Sequence, residues 1–258
     1  MKITILFLCL QAIISLANGA EKDTETLFQN AVKKLAMKDV QAKMTLESTD
    51  ADGNSVLRKL NVSFAHFENF KKVIIEITAP EDLNGTRILT TDFLDSSRES
   101  TIEVFLPSTG KIRKFRANNR RLKIPGTDIP MNYFSSSAFN GYLITDAGQT
   151  SINEIDCKKI KLNLPDNNEY LIAYIDIINE LMFRIEYYDK KEILTGINEF
   201  SEYGSIDSSN AEIIFPRNIS VSNPETGNIS KLTINHLEAL TEIRKTDFNI
   251  VPQPKPAE

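Results

Sequence analysis

An alternating pattern of side chains at residues 73–78 constrains the fold of this chain more than any other feature. These residues read V-I-I-E-I-T, so that every second position is Val or Ile. A period of two indicates a β-strand, because successive side chains of a strand point to opposite faces of the sheet. Pro80 has no N–H to donate to a sheet, and the strand is therefore predicted to end at about residue 79.

The same rhythm of short strands and tight turns continues on both sides of this segment. A turn at 83–85 contains Asn and Gly, and a second turn at 107–110 reads P-S-T-G, which are residues that favour turns. Similar patterns predict further strands at 40–47, 56–67, 86–93, 102–106, 111–116, 155–164, 169–178, 181–188, 193–200, 211–221 and 228–237. We expect about eleven strands in all.

A sheet of this size is expected to be antiparallel and curved. The chain shows no alternation of strands with helices, which excludes a parallel sheet. An antiparallel sheet of about eleven strands cannot stay flat and open, so it must coil, split or close. We predict a mainly β fold in which a strongly coiled antiparallel sheet forms an incomplete barrel with a concave face.

A helix and a loop are expected to cover that concave face. Residues 21–36 form an amphipathic pattern, with Leu27, Ala31 and Leu35 on one stripe. Residues 117–151 contain no regular pattern, and a loop of that length inside a compact domain usually has a function. The apolar residues on the loop favour two interpretations equally, a movable lid or a loop packed against the domain's own core.

The first 19 residues have the features of a secretory signal. Lys2 precedes an apolar stretch at 3–14, and small residues at 17 and 19 fit a cleavage site. We therefore predict export to the periplasm, a single domain over 20–250, and a disordered Pro-rich tail at 251–258. After removal of the leader, Cys157 is the remaining cysteine, so an internal disulfide is excluded.

The composition offers no recognisable catalytic chemistry. The two histidines have no second ligand at metal-binding spacing, and no phosphate-binding loop or nucleophile elbow is present. We predict a binding protein without cofactor or metal, not an enzyme. The net charge of −5 gives no electrostatic reason to bind nucleic acid. A basic cluster at 111–123 is either a solvated face or a contact for anionic headgroups or an acidic partner.

Several motifs resemble those of the outer-membrane lipoprotein-sorting proteins with a LolA-like fold. They are T-A-P-E-D-L-N-G-T at 78–86, F-L-P-S-T-G-K-I-R-K at 105–114, P-G-T-D at 125–128, F-R-I-E-Y-Y-D-K-K-E at 183–192 and F-P-R-N-I-S-V-S-N-P-E-T-G-N at 215–228. The resemblance implies a coiled, incomplete barrel whose apolar cavity holds acyl chains. The sequence departs from the family at Glu103, where many members have Trp.

The resemblance implies a carrier for the acyl chains of a lipid or lipoprotein. An alternative is a lipid-sensing module that acts on a protein partner. We expect a monomer that contacts an envelope transporter or acceptor protein, touches a membrane only transiently, and binds no nucleic acid. The residues expected to bind the ligand are Val73, Ile75, Ile77, Leu89, Ile102, Val104, Leu106, Ile129, Met131 and Phe134. A shift of one residue in a strand would turn its side chains to the other face.

Overall fold

The computed structural model describes residues 23–251 except 96, 117–122, 125–126, 130–138, 140, 165–166 and 209–211. The predicted leader at 1–19 and the predicted tail from 252 onward lie outside these residues. The described part consists of one helix, thirteen strands and two short 3-10 helices. They are α1 Thr24–Leu35, β1 Val40–Thr49, β2 Ser55–His66, β3 Phe70–Ala79, β4 Arg87–Phe93, β5 Thr101–Leu106, β6 Lys111–Arg116, β7 Leu143–Ile152, β8 Ile155–Leu164, β9 Asn167–Asp176, β10 Met182–Tyr188, β11 Leu194–Asp207, β12 Glu212–Ser222 and β13 Ile229–Ala239, with 3-10 helices at Glu81–Leu83 and Lys245–Phe248.

All thirteen strands belong to a single antiparallel sheet, which confirms the predicted fold class. The order is β6-β5-β4-β3-β2-β1-β13-β12-β11-β10-β9-β8-β7. The first and last strands of the chain pair at the middle of the sheet, where Leu46 lies opposite Leu232. The sheet coils without closing into a barrel. Among the described residues, no strand pairs with the outer side of β6 or β7, and these two strands are therefore the edges of the sheet.

The prediction of an irregular loop over 117–151 is wrong for its last quarter. Residues 143–152 form the edge strand β7, which pairs with β8 through positions such as Ile144 and Leu162. Most side chains of β7 are exposed or half-buried, and the register shifts between Asp146 and Gln149. An edge strand interrupted by a bulge does not need an alternating apolar pattern, which explains why the sequence did not indicate it.

The sheet separates two apolar layers of unequal size. We call the face that carries Val73, Ile75 and Ile77 the concave face, and its side chains belong to the main core. The opposite, convex face carries Ile74 and Leu89 in a second, smaller cluster. Residues 240–250 cover part of the convex face, because Phe248 packs into that smaller cluster and is 2% exposed.

Helix α1 begins at a capped N-terminus and packs with one side on the concave face. The side chain of Asp23 accepts a hydrogen bond from the backbone N–H of Thr26 at 3.1 Å, which satisfies one of the free donors at the helix start. Leu27, Phe28 and Ala31 are buried in the main core. The helix contacts β7, β9, β10 and β12, and it therefore covers the second half of the sheet.

The turn between β3 and β4 is fixed by a glycine. Gly85 has a φ of +78°, and a Cβ atom at this position would lie 3.2 Å from Cγ of Pro107. The turn is also held by a hydrogen bond from the N–H of Gly85 to the carbonyl of Ile77 at 2.8 Å. A side chain at position 85 would add both steric and conformational strain. The neighbouring turns at one end of the sheet are therefore packed against each other.

Candidate functional site

The concave face of β3, β4 and β5 is a continuous apolar surface because the strand registers align its side chains. Ile75 lies opposite Ile88, and Ile88 lies opposite Val104. Residues directly opposite in an antiparallel pair point to the same face. Ile75, Ile88 and Ile102 are each at most 1% exposed. This part of the sheet is a wall of branched aliphatic side chains.

Most of the predicted ligand-binding residues that the structure describes lie on this one face. The main core contains Val73, Ile75, Ile77, Ile102, Val104 and Ile129 as buried members, and Leu106 packs against it half-buried. Met131 and Phe134 lie outside the described residues. The sequence analysis thus placed the alternating residues of β3 and β5 on the correct side of the sheet. Whether these side chains contact a ligand remains a prediction.

The placement of Leu89 on the concave face is wrong. Leu89 lies opposite Ile74 and packs with it in the convex cluster. Its neighbour Ile88 occupies the concave position instead and is fully buried. Both faces of β4 are covered, so two consecutive apolar residues are both buried and the alternation is lost. Only the pairing of β4 with β3 shows that Ile88, and not Leu89, points toward the main core.

Beside Leu89, the convex face has an open recess of about 300 Å³, which the sequence did not indicate. It lies between Lys72, Leu89, Glu103 and the C-terminal residues 248–251. Nζ of Lys72 donates to the carbonyl of Phe248 at 3.0 Å. Burial lowers the pKa of the Lys72 ammonium group. The recess lies on the face opposite to the main core, beside the place where the C-terminal segment packs on the sheet.

The far half of the sheet completes the concave face with residues that the sequence analysis did not select. A signal for these residues was present in the sequence, because apolar residues recur at every second position in β8 and β9. Ile160 lies opposite Ala173, and Leu162 lies opposite Leu171. The buried members contributed by this half are Ile160, Leu162, Leu171, Ala173, Ile175, Met182, Ile185, Phe200, Phe215, Ile219 and Val221. The apolar surface therefore extends across most of the sheet.

Helix α1 is fastened to the turn after β9 by polar contacts. The side-chain amide of Asn30 donates to the Glu180 carboxylate at 3.2 Å. Nζ of Lys34 lies 3.5 Å from the same carboxylate and donates to the carbonyl of Asn179 at 2.5 Å. Each such contact at a partly exposed site contributes only about 1 kcal/mol. We call these polar contacts the tether of α1. The helix is held on the sheet by this weak tether as well as by its buried apolar side.

Residues of the 117–142 loop also pack against the main core. Ile124 and Ile129 are each 1% exposed, and the N–H of Ile124 donates to the carbonyl of Ile129 at 2.9 Å. Phe139 packs against the ring of Phe28 on α1. The described part of the loop thus covers the concave face together with the helix. This packing agrees with either interpretation of the loop, a lid or a permanent part of the core.

Polar residues replace apolar ones at one end of the concave face. The core-facing positions of β1 and β2 run through Leu46 and Leu60 to Ser48 and Arg58. Val56, the outermost residue of β2 on this face, lies opposite Ser48 and is 45% exposed. Arg58 is only 5% exposed. Burial lowers the pKa of its guanidinium, and the negative charge of Asp82 acts against that shift. Sequence reasoning missed Arg58, although a cation in phase with Leu60 and Val62 was a visible signal.

Three further observations bear on the class of site. Among the residues that the structure describes, no three His, Cys, Asp or Glu side chains are placed to hold a metal ion. In the same part of the chain, no helix has the length and hydropathy required to cross a membrane. Cys157 is buried, and burial raises the pKa of its thiol.

Comparisons with known proteins are informative at the level of fold. Residues 69–250 match a family model described as "Uncharacterized protein". The comparison with curated proteins found no match. The chain is similar to a putative outer membrane lipoprotein-sorting protein domain from Vibrio parahaemolyticus, with 18% identity, 88% of this chain and 97% of that chain covered, and a TM-score of 0.76.

Two other solved structures show the same architecture. A DUF1329 family protein from Desulfovibrio piger is 17% identical over 88% of this chain and 97% of that chain, with a TM-score of 0.75. A LolA superfamily protein from Nitrosomonas europaea is 18% identical over the same shares, with a TM-score of 0.64. The fold is therefore that of LolA-like proteins, as the sequence motifs indicated.

Proposed function

The chain belongs to the family whose model matches residues 69–250, and we propose that it is a periplasmic carrier of acyl chains. The carrier would bind the acyl chains of a lipid or lipoprotein on the concave face and release them to an acceptor. The observation that carries the proposal is the extent of that face. Apolar residues from β5 at one side of the sheet to β8 at the other side belong to one core. Helix α1 and the described part of the 117–142 loop cover this core.

The covering helix could be exchanged for a ligand at a modest cost in free energy. Opening α1 would expose Leu27, Phe28 and Ala31, which costs about 5 kcal/mol at the usual value for buried side chains. An acyl chain of about a dozen CH₂ groups gains on the order of 10 kcal/mol when it leaves water. A long acyl chain could therefore replace the helix on the sheet. No covalent step or cofactor takes part in this exchange.

The proposed binding residues are those of the sequence analysis with one replacement. They are Val73, Ile75, Ile77, Ile88, Ile102, Val104 and Leu106 on the sheet, and Ile129, Met131 and Phe134 on the loop. Leu89 is left out because it lies on the convex face. The loop residues would move with the helix when a ligand enters. The proposed partners are a donor and an acceptor in the cell envelope, with transient contact to a membrane.

The proposed location is supported by two kinds of observation. Residues 1–19 have the pattern of a cleavable export signal. The similar structure from Vibrio parahaemolyticus is described as a putative outer membrane lipoprotein-sorting protein domain, and that description concerns a cell-envelope process. The periplasm is the compartment in which an acyl carrier of this kind would work.

Native mass spectrometry of the purified protein tests the proposal. The chain should be produced with its leader, exported, purified without detergent, and analysed before and after lipid extraction. We expect co-purified species with the mass of a lipid or an acylated peptide. The bound species should move to acceptor vesicles in a fluorescence transfer assay. A protein that binds acyl probes but never releases them would indicate a sensor, and a protein that binds none would refute the carrier.

A further inference from the structure

Arg58 is a buried cation, and two of its three guanidinium nitrogens are left unpaired. Its Nε and Nη1 atoms are both inaccessible to water, and neither has a hydrogen-bond partner. Lys158, which is also buried on the concave face, is in contrast paired with Asp146 at 2.6 Å. The Asp82 charge that acts on Arg58 comes from an exposed residue of the 81–83 turn. The two side chains form no hydrogen bond, so the guanidinium is not neutralised by a direct contact.

A guanidinium with two buried donor atoms that lack partners, next to an apolar surface, is unfavourable for the fold alone. Buried charges in proteins are normally paired, and buried donors without partners destabilise the folded state. Arginine cannot avoid this cost by losing its proton, because its pKa stays above the physiological range. A group of this kind in a folded protein therefore calls for an explanation. A ligand that supplies the missing acceptors would provide one.

The surroundings of Arg58 match the two ends of an amphiphile. On one side the concave face continues into Leu60 and Val62, which are at most 1% exposed. On the other side lie Ser48 and Ser230, whose hydroxyl oxygens are 3.3 Å apart. Ser230 also accepts from the backbone N–H of Asp128 on the covering loop, at 3.4 Å. The polarity of the surface therefore changes from apolar to polar across Arg58.

We propose that Arg58 binds the anionic head group of an amphiphile whose alkyl chain lies along the concave face. The head group is a carboxylate or a phosphate, since both offer oxygens that the planar guanidinium can contact at more than one donor. The inference rests on the proposed function, because it names the chemical class of ligand for the same site. It also gives the ligand a direction, with the head at the Ser48 end and the tail toward Phe64.

Matched probes that differ only in the head group test this inference. The purified, delipidated protein should be titrated with palmitate, hexadecanol, dodecyl phosphate, dodecanol and inorganic phosphate, and the dissociation constants measured by calorimetry. We expect each anionic amphiphile to bind at least about tenfold more tightly than the alcohol of the same chain length, as charge-assisted hydrogen bonds do in buried sites. The palmitate–hexadecanol pair and the dodecyl phosphate–dodecanol pair are each matched in chain length, so the larger of the two anion-to-alcohol preferences shows whether the site favours a carboxylate or a phosphate.

Variants at Arg58 show whether this residue causes the preference. Arg58→Gln and Arg58→Met should reduce the preference for the anion at least about tenfold and leave binding of the alcohols within about twofold. Lys59→Gln is the matched control, because Lys59 is the next residue on β2 and is exposed. This control should keep the wild-type preference.

Thermal unfolding of the ligand-free variants separates a binding role from a structural one. If Arg58 serves a ligand, Arg58→Met should unfold at the same temperature as the wild type or at a higher one. A loss of stability in Arg58→Met, with an unchanged preference for anions, would mean that the arginine supports the fold, and it would overturn the inference.

Two binding results distinguish the inference from the function on which it rests. Equal affinity of the wild type for anions and alcohols would refute the Arg58 site and keep the acyl carrier. Binding of inorganic phosphate as tight as that of dodecyl phosphate would show a small-anion site, and it would refute the amphiphile. If no amphiphile binds, both the carrier and the Arg58 proposal are refuted.

Discussion

The ring of Phe28 on α1 meets the ring of Phe139 on the loop edge-to-face, with centroids 5.6 Å apart and an interplanar angle of 88°. Aromatic pairs in this geometry contribute about 0.5–1.5 kcal/mol beyond the area that they bury. The contact joins the two segments that cover the concave face. Helix and loop are therefore expected to open together, as one cover and not as two independent parts.

Replacing Phe139 by Ala should loosen the helix without unfolding the sheet. Phe139 is half-buried, so the substitution should mainly weaken the packing of the loop against Phe28 on α1. We expect amide hydrogen exchange in α1 to become about two- to tenfold faster, as measured by mass spectrometry on peptides from 24–35. Leu143→Ala is the control, because Leu143 is 58% exposed and should leave the exchange of α1 unchanged. Equal acceleration in both variants would contradict a joint cover.

Removing the carboxylate of Glu180 should release the tether of α1. Glu180→Ala deletes the contacts with Asn30 and Lys34. Together such contacts contribute about 1–2 kcal/mol, so exchange of α1 amides should rise about five- to thirtyfold. Uptake of an acyl probe by delipidated protein, followed by stopped-flow fluorescence, should become faster for the same reason. Lys33→Ala, at an exposed neighbouring position, is the control, and an effect as large there would rule out the tether.

Adjacent substitutions on β4 should separate the two faces of the sheet. Ile88→Ala and Leu89→Ala remove buried side chains and should each destabilise the protein by about 2–4 kcal/mol in urea unfolding. Only Ile88→Ala widens the concave face, so only this variant should shift the preferred length of acyl probes toward longer chains. Leu89→Ala should keep the wild-type preference. The same shift in both variants would mean that the ligand does not lie on the concave face.

His66 should make the stability of the protein depend on pH below 6.5. Burial and the positive charges of Lys71 and Lys38 lower the pKa of the imidazole, against the opposing effect of Asp39. The unfolded chain therefore binds a proton near pH 6.5 more readily than the folded protein does. The stabilising contribution of neutral His66 is complete above pH 6.5 and is lost as the pH falls toward the lowered pKa.

The variant His66→Gln tests this dependence. The free energy of unfolding should be measured in urea at several pH values between 7.5 and 5, which roughly bracket the unfolded pKa of His. The wild type should lose stability on acidification more steeply than the variant. His236 is present in both proteins, so its contribution cancels in the comparison. Parallel pH profiles would refute the prediction for His66.

The sequence predicted those parts of the fold in which one face of a strand is apolar and the other is polar. Alternation in β3 and β5 placed Ile75 and Ile102 on the correct face, because Glu76 and Glu103 mark the opposite side of these two strands as the more polar one. In β4 both faces are covered, and neither Ile88 nor Leu89 could be assigned without the neighbouring strand. Phe248 was also missed, because its contacts join parts of the chain that are far apart in sequence.

Among the candidate site residues, the sequence could identify apolar walls better than polar exceptions. Arg58 lies on the same face of β2 as Leu60 and Val62. A single cation in such a pattern does not show whether its side chain is buried until the neighbouring strands are known. The surroundings of Arg58 depend on the pairing of β2 with β1, which is a consequence of the folded sheet. The absence of partners for its donors is a property of three-dimensional packing and leaves no sequence signal.

The open edge at β6 has a consequence for how the protein behaves at high concentration. An uncovered strand of a long sheet can recruit the same strand of another molecule and so begin aggregation. β6 carries Lys111, Arg113, Lys114 and Arg116 within six residues. Two copies that met along this edge would bring these like charges together, and the resulting repulsion opposes fibre growth. The basic residues of β6 are therefore expected to act against edge-to-edge pairing of two copies.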